Sequence, residues 1–456
     1  MISILRHQTY RRLFAAQVLS LIGTGLMTVA LALLAYDLAG GSAGAVVGTI
    51  LMLKMVAYVG FAPFAAALAQ RLPAKPLLVG LDLARVAMVA LLPFVDQVWQ
   101  IYLAVFAIQL CSAAFTPAFQ SLIPEVLPDE RDYTRALSLS RLAYDLESLA
   151  SPLLAGLLLT LIPGSDLFLG TALGFAASAA LVVSTALPAR SQALAPEPFL
   201  RRLTKGFALY AATPRLRALF ALGLAVAFAG AWVLVNSVVW AHEALGGGDR
   251  TYTALLAAYG GGSMLVALAL PRLMDRLAPR LVMGAGGVLL GLAPWALLAR
   301  PGFAASLALW ALLGAATALV MTPTGLLLKR SAHAADRPAL FAAQFSLSHA
   351  GWLVAYPLAG WLGLQLGLAP SFAVMAGLAL AAALAAWAVW PADDPLERFH
   401  VHAAFDHEHL HVHDAHHQHQ HEGWEGPEPH RHPHRHAGGG HRHVFVIDDH
   451  HPQWSM

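Results

Sequence analysis

The chain has 456 residues, of which 58% are apolar and 12% carry a formal charge, and its mean hydropathy is +0.62. An average soluble domain carries about 25% charged residues, so this composition indicates a polytopic membrane protein. The net charge of +2, with no basic aromatic motif, predicts no nucleic-acid partner. The single cysteine, Cys111, excludes an intrachain disulfide framework and a thiolate metal cage.

Twelve segments of the chain are long and apolar enough to cross a bilayer, which takes about twenty residues of helix. Runs of this length must be helical, because hydrocarbon offers the backbone no hydrogen-bond partner. The sequence therefore predicts an all-α membrane protein. The segments are 12–36, 43–69, 76–94, 98–122, 135–162, 167–187, 216–241, 251–273, 281–299, 303–328, 338–366 and 370–390.

The connections between these segments alternate in charge. Even-numbered connections carry the basic residues, for example Arg201 and Arg202, whereas odd-numbered connections carry mostly acids, for example Asp37 and Asp96. Basic loops remain in the cytoplasm, so this pattern predicts a multi-pass protein of the inner membrane with both termini cytoplasmic.

The chain also repeats itself. A shift of about 206 residues aligns Thr116-Pro117 with Thr322-Pro323. The repeat predicts two six-helix halves around a central pathway, an arrangement common among secondary transporters. The predicted units are an N-terminal half (1–187), a cytoplasmic linker (188–215), a C-terminal half (216–391) and a His-rich cytoplasmic tail (392–456).

Two loop motifs resemble the pattern G-x-L-A-D-R-x-G-R-K of the major facilitator superfamily. They are Leu68-Ala-Gln-Arg-Leu-Pro-Ala-Lys75 and Leu273-Met-Asp-Arg-Leu-Ala-Pro-Arg280. The first copy departs from the pattern because Gln70 replaces the acidic residue. The resemblance covers about residues 5–390 and implies the major facilitator fold. It also implies that a loop charge network controls the change of conformation, here Arg71, Lys75, Asp275, Arg276 and Arg280.

The tail holds 18 of the 22 histidines, mostly in alternating His-x-His runs. Imidazole is a good ligand for nickel, cobalt, zinc and copper(II), and tracts this dense are typical of metal binding. A solvated low-complexity tail is the alternative. The low apolar content predicts disorder without metal. The predicted ligands are His400, His402, His407, His409, His411, His413, His416, His417, His419, His421, His430, His432, His434, His436, His441 and His443.

Together, the membrane body, the run Arg141-Leu-Ala-Tyr-Asp145-Leu-Glu147 and the long His-rich tail resemble nickel-resistance exporters of the NreB type. The resemblance implies proton-driven efflux of nickel, or in some members cobalt. The expected partners are divalent metal ions, protons and the lipid bilayer, and the chain is expected to act as a monomer. No enzyme activity and no required cofactor are expected, although Ni²⁺, Co²⁺ or Zn²⁺ would be transported or bound by the tail.

Few ionisable residues lie inside the predicted segments. Each costs several kcal/mol at mid-bilayer and persists mainly for function or pairing. We expect Asp145 and Glu147 to couple protons or bind metal, with His349 facing them from the repeat-related segment and Lys54 balancing their charge. Alternatives stay open: Arg141 and Asp145 are four residues apart and could pair on one helix face, His349 could be a buried, hydrogen-bonded histidine, and Lys54 could snorkel.

A second function class is also compatible with the sequence. One fold serves many substrates, so the chain could be a proton-driven exporter of drugs or siderophores with a metal-sensing tail. A membrane-anchored metal store is a third reading, which the intramembrane charges argue against.

Overall fold

A computed structural model describes most of the chain. The described residues are 2–61, 72–127, 129, 132, 136, 139–140, 143, 147, 151, 154–186, 199–332, 336–394, 398–402, 405–411, 430–436 and 439–443.

The described body is helical. Its α-helices are α1 (Gln8–Ala39), α2 (Ala43–Val56), α3 (Ala74–Leu91), α4 (Val98–Val126), α5 (Leu167–Val183), α6 (Phe199–Ala212), α7 (Pro214–Val239), α8 (Asp249–Met274), α9 (Pro279–Leu292), α10 (Phe303–Met321), α11 (Thr324–Arg330), α12 (Arg337–Leu366) and α13 (Leu368–Val389). Short 3-10 helices lie at Ile2–Arg6, Gly40–Ser42, Leu92–Phe94, Gly164–Asp166 and Ala293–Ala299, and π-helices at Ala57–Phe61 and Trp240–Ala244.

These helices match the predicted segments. Nine candidate membrane spans occur within the described residues, and the first, Gln8–Phe61, contains two predicted segments joined by the short turn Gly40–Ser42. Each predicted segment except 135–162 coincides with described helix, and residues 62–69 of the second segment lie outside the described residues. The segment 135–162 is described at scattered helical residues between Asp132 and Leu158. The predicted linker contains one further helix, α6, which packs against α12.

Each half packs chiefly on itself. In the N-terminal half α5 packs against α1 and α3, and in the C-terminal half α13 packs against α7 and α9 while α8 packs against α10. The C-terminal half has an aromatic centre, where Trp232 stacks on Phe372 at 4.0 Å between ring centroids and its indole N–H donates to Ser371 Oγ. A buried indole N–H needs a hydrogen-bond acceptor, and Ser371 supplies it in this closely packed aromatic cluster.

The halves contact each other mainly through α2 and α12. Glycines make this approach close: a Cβ on Gly48 would lie 2.7 Å from the Tyr356 carbonyl oxygen, and one on Gly360 would lie 2.6 Å from the Gly44 carbonyl oxygen. Asn236 of α7 also lies at this contact, because its Oδ1 occupies the space next to Gly44 of α2, and its Nδ2 donates to the Ala359 carbonyl within its own half, 3.1 Å away.

The loops and turns that join the helices lie at two ends of the bundle. The tail end is where Lys75, Arg215, Arg280 and Trp390 lie, next to the start of the tail. The far end is the opposite one, formed by the turns Gly40–Ser42, Gly164–Asp166 and Trp240–Ala244 and by the start of α8, which approach one another at Gly41 and Glu243, at Gly164 and Asp249, and at His242 and Asp249.

Four tail segments form antiparallel ribbons. Strand β1 (Arg398–His402) pairs with β4 (Gly439–His443), and β2 (Phe405–His411) pairs with β3 (His430–His436). This differs from the predicted disorder. The physical reason is that His-x-His alternation has the two-residue period of a strand, so that histidines of two such runs can align opposite one another.

We expect Gly48→Ala and Gly360→Ala to separate α2 from α12, because each added methyl would overlap backbone atoms of the other half. Spin labels at Thr160→Cys and Ala304→Cys, both exposed and in different halves, would report a longer far-end distance in a Cys111→Ser background. Gly80→Ala is the matched control, since its Cβ position is open. Unchanged distances in both seam variants would show that this contact does not hold the halves together.

Candidate central transport site

A cavity lies between the two halves. The N-terminal half contributes Ile50 from α2, and the C-terminal half contributes Leu234 from α7 and Tyr252 from α8. Most of the lining is apolar, and its polar groups include Lys54 and Gln109. A mostly apolar cavity with a few polar groups is the usual form of a small-ligand site.

Lys54 connects this cavity to two of the predicted site residues. It is partly buried in the last turn of α2, where its ammonium interacts electrostatically with the Glu147 carboxylate and with the His349 ring. The interaction with Glu147 is attractive and strengthens in a low-dielectric interior. Lys54 therefore lines the cavity, and its role in balancing carboxylate charge stays a prediction.

Glu147 lies against α1. Its Oε1 is 2.8 Å from the position that a Cβ on Gly25 would take, so Gly25 leaves the room that the carboxylate occupies. Asp145 and Arg141 lie outside the described residues, and so does any pairing between them. Glu147 is therefore the carboxylate of the predicted set that the structure places beside the central site.

His349 is anchored by one ring nitrogen. Its Nδ1 is 2.7 Å from the Phe345 carbonyl oxygen, one helical turn earlier in α12. A carbonyl only accepts, so Nδ1 carries the proton and the lone pair of a neutral ring lies on Nε2. Within the described part of the chain Nε2 has no hydrogen-bond partner. The backbone hydrogen bond considered in the sequence is present, and it leaves the other nitrogen available as a ligand.

Tyr58 is a site residue that the sequence did not reveal. It lies in the π-helix Ala57–Phe61, one turn after Lys54, and its ring stacks on His349 with 6.3 Å between centroids. It also interacts electrostatically with Glu147. Single π turns inside helices frequently mark functional sites. Lys54, Tyr58, Glu147 and His349 therefore gather from both halves.

These groups do not form a closed metal site in this conformation. Among the described residues no group of three or more His, Cys, Asp or Glu side chains could hold an ion together. A metal at His349 and Glu147 would need the halves to move or further ligands to join.

A buried ion pair lies within the N-terminal half. Asp82 and Arg85 of α3 form an ion pair at 0% and 3% side-chain exposure. The guanidinium lies between two rings, 4.5 Å from the centroid of Phe115 and 4.4 Å from that of Phe175. Cations over aromatic faces are favoured electrostatically, so the rings compensate part of the cost of burial.

The loop motifs occupy equivalent places in the two halves. Lys75 Nζ donates to the Thr185 carbonyl at 2.9 Å, and Arg280 Nε donates to the Trp390 carbonyl at 3.0 Å. Both donors and both acceptors are 205 positions apart, so the same contact recurs across the internal repeat. Arg280 also lies over the Trp387 ring, 4.5 Å from its centroid. Each contact ties the start of one helix to the end of its half.

The other predicted loop charges differ in their position. Asp275 and Arg276 are exposed on the tail end and form no ion pair with the described residues, and Arg71 lies outside the described residues. A role in controlling conformation stays a prediction for these three.

The tail ribbons place histidines opposite one another. On antiparallel strands opposed Cα atoms lie about 4.5–5.5 Å apart, close enough for two residues to share a ligand. His413, His416, His417, His419 and His421 lie outside the described residues. The opposed pairs are His400 with His441, His407 with His434, His409 with His432, and His411 with His430.

Two membrane-embedded helical halves, a repeated loop contact and charges around a central cavity define the class of secondary transporters. The chain matches the Major Facilitator Superfamily over residues 13–235 and 219–412, and it belongs to that family. The predicted all-α major facilitator fold and the assignment as a transporter are thereby confirmed. No curated protein matches the chain.

Several solved transporters share the fold. The nucleoside transporter NupG is 14% identical with a TM-score of 0.65, covering 84% of this chain and 99% of its own. A mutant of the peptide transporter POT is 15% identical with a TM-score of 0.65, covering 83% and 93%. A bacterial homolog of the human lysosomal transporter Spinster, inward-facing and occupied, is 14% identical with a TM-score of 0.64, covering 84% and 97%. At these identities the likeness shows the fold alone.

We expect Arg85→Leu to destabilise the protein by about 3–5 kcal/mol, because Asp82 would be left as an uncompensated buried charge. The measurement is the midpoint of thermal unfolding in detergent. Adding Asp82→Asn to this variant should recover part of the loss. Lys205→Met is the control, because its ion pair with Asp336 is 56% exposed at the lysine and exposed pairs contribute little. Equal losses in both single variants would contradict the assignment.

Proposed function

We propose that this chain exports a divalent transition metal, nickel first and cobalt second, from the cytoplasm across the inner membrane in exchange for protons. The observation that carries the proposal is that Lys54, which lines the central cavity, interacts electrostatically with Glu147 of the N-terminal half and with His349 of the C-terminal half. Both termini face the cytoplasm in this proposal, in keeping with the basic even-numbered connections.

The donor types fit this cargo. An imidazole nitrogen and a carboxylate suit nickel, cobalt and zinc, and His349 keeps Nε2 available because Nδ1 is held by the Phe345 carbonyl. In the empty protein Lys54 supplies the positive charge that Glu147 needs. An arriving metal ion would take over that role. Lys54 would compete with the metal for the Glu147 carboxylate and would thereby favour release of the metal.

The same two groups give a route to coupling with protons. A metal ion and a proton compete for the imidazole lone pair and for the carboxylate, so binding of one favours loss of the other. The membrane body contains no nucleotide-binding loop, so the proposed energy source is an ion gradient. Exchange of cytoplasmic metal for external protons follows from this competition.

The tail supports the choice of a metal. Its ribbons put four pairs of histidines opposite one another. A metal ion could therefore bind different combinations of neighbouring imidazoles and exchange between them. A tether of this kind raises the local metal concentration at the cytoplasmic side. In this proposal the tail buffers or delivers metal and is not part of the pathway.

One observation favours a second function. The cavity lining is mostly apolar, with Ile50, Leu234 and Tyr252 among its residues, which would suit an organic molecule better than a hydrated ion. The second candidate is therefore proton-driven export of a drug or siderophore, with the tail as a metal sensor.

We expect Glu147→Gln and His349→Phe each to reduce nickel export at least about tenfold, because each removes one ligand while its volume stays similar. The loss corresponds to about 1.4 kcal/mol. The measurement is cellular nickel, cobalt and zinc content, with growth on a toxic dye, in a metal-sensitive bacterium. His7→Gln, at the start of α1, is the control.

The outcomes separate the two candidates. If the unsubstituted chain lowers the nickel content of the cells and both variants fail to do so, the result supports metal export. Unchanged metal content with improved dye tolerance would move the substrate to organic compounds. Raised cell nickel would reverse the proposed direction.

A second prediction concerns the tail. Ending the chain after Asp394 keeps the contact between Asp394 and Arg215 while removing the histidine ribbons. We expect export to persist at saturating nickel and to fall at limiting nickel, and we expect the number of nickel ions bound by the purified protein to drop. Binding by the full chain should weaken below about pH 6.5, where imidazole is protonated. Loss of export at saturating nickel would make the tail part of the pathway.

A further inference from the structure

The halves also meet at the far end, through a histidine that the transport site does not use. His242, in the π-helix after α7, stacks its ring on Tyr36 near the end of α1, with 4.1 Å between centroids and 25° between planes. Tyr36 belongs to the N-terminal half and His242 to the C-terminal half. The stack is therefore a contact that must break when the far end opens.

Both ring nitrogens of His242 face acceptors. Nδ1 is 2.8 Å from the Val238 carbonyl oxygen, and Nε2 is 3.1 Å from Asp249 Oδ1. A carbonyl and an ionised carboxylate have no proton to donate. A neutral imidazole has one N–H, so it would satisfy one contact and turn a lone pair toward the other oxygen. Only the imidazolium donates to both.

The surrounding charges reinforce this requirement. Asp37 of the N-terminal half is repelled by Asp249 of the C-terminal half and is attracted by a charged His242. Glu243 adds a further negative charge at the seam, with its Oε1 2.9 Å from the position of a Cβ on Gly41. The imidazolium therefore lies among carboxylates from both halves.

Two more charged residues complete the surroundings. Arg250 follows Asp249 at the start of α8 and is exposed, so solvent screens its charge. Asp166 is exposed in the N-terminal turn that contains Gly164, whose Cβ position lies 3.7 Å from Asp249 Oδ2. With His242 neutral, the carboxylates would dominate the far end.

We propose that His242 is a proton-binding residue that closes the far end of the transporter. Protonation joins Tyr36 and Asp37 of one half to Asp249 of the other. Loss of the proton turns one hydrogen bond of His242 into a repulsive contact and leaves Asp37 and Asp249 facing each other as like charges. The proposal rests on alternating access in the major facilitator fold and holds whichever substrate is carried.

The direction of the pH dependence follows. Acid favours the protonated ring that donates to both acceptors, so acid favours the closed far end and alkali favours the open one. Tyr36 stacks on His242 in either state, and a cation–π attraction is added while the imidazole ring is charged.

The test measures the far-end distance between spin labels at Thr160→Cys and Ala304→Cys, in a Cys111→Ser background and in lipid nanodiscs without metal. We compare about pH 5.5 with about pH 8.5, on either side of the titration range of histidine. With the unsubstituted cluster, the population at the longer distance should be at least twofold larger at the higher pH.

Two variants make the test specific. His242→Phe keeps a ring on Tyr36 but no titrating group, so its distances should not change with pH. Asp249→Asn supplies an amide N–H that can donate to Nε2 of a neutral ring, so this variant should stay closed at both pH values. His7→Gln is the control and should respond to pH as the parent does.

Either of two results would overturn the proposal: a full pH response in His242→Phe, or opening of Asp249→Asn at the higher pH. Because the readout is a distance, failure of nickel export would leave this test unaffected, and a pH-independent distance would leave the export result unaffected.

Discussion

The electrostatic attraction between Lys54 and Glu147 is the interaction on which the central site depends. Inside a bundle of apolar helices an isolated charge costs several kcal/mol, so each charge needs a partner that is fixed in position. Lys54 comes from the helix that contacts the opposite half through Gly48, and Glu147 lies against Gly25. The attraction therefore joins helices that the fold places at the centre, and its neighbour His349 brings in the other half. Any cation that displaces Lys54 from Glu147 changes the energy of the contact between halves.

The two halves share one contact between helix ends, and they differ in the charged residues that they contain. The repeated contact, Lys75 with Thr185 and Arg280 with Trp390, fixes the same helix ends in both halves. The buried pair of Asp82 and Arg85 occurs in the N-terminal half, where three helices supply the two charges and the two rings around the guanidinium. Its position makes that half a stable body against which the other half can move, because separating the pair would expose a buried charge.

The sequence predicted the parts that follow from the cost of burial. Helix positions follow from apolar length, and Lys54, Glu147 and His349 were singled out because charges inside such segments are rare. Tyr58 was missed because an aromatic residue in an apolar run gives no such signal, and its role depends on a local π turn. The tail strands were missed because composition shows only that the tail has too few apolar residues to form a core. The pairing of distant His-x-His runs depends on their register, which composition does not reveal.

His242 and His349 show how one anchoring geometry can serve opposite purposes. Each ring points Nδ1 at the carbonyl four residues earlier, Val238 for His242 and Phe345 for His349, so each helix holds its ring in the same way. The difference lies at Nε2. For His242 a carboxylate occupies that side, which favours the charged ring and a closed far end. For His349 that side has no partner among the described residues, which favours a neutral ring with a lone pair for a ligand. The same anchor therefore leaves His242 as a donor to the Asp249 carboxylate between the halves at the far end, and leaves His349 with a free lone pair at the centre.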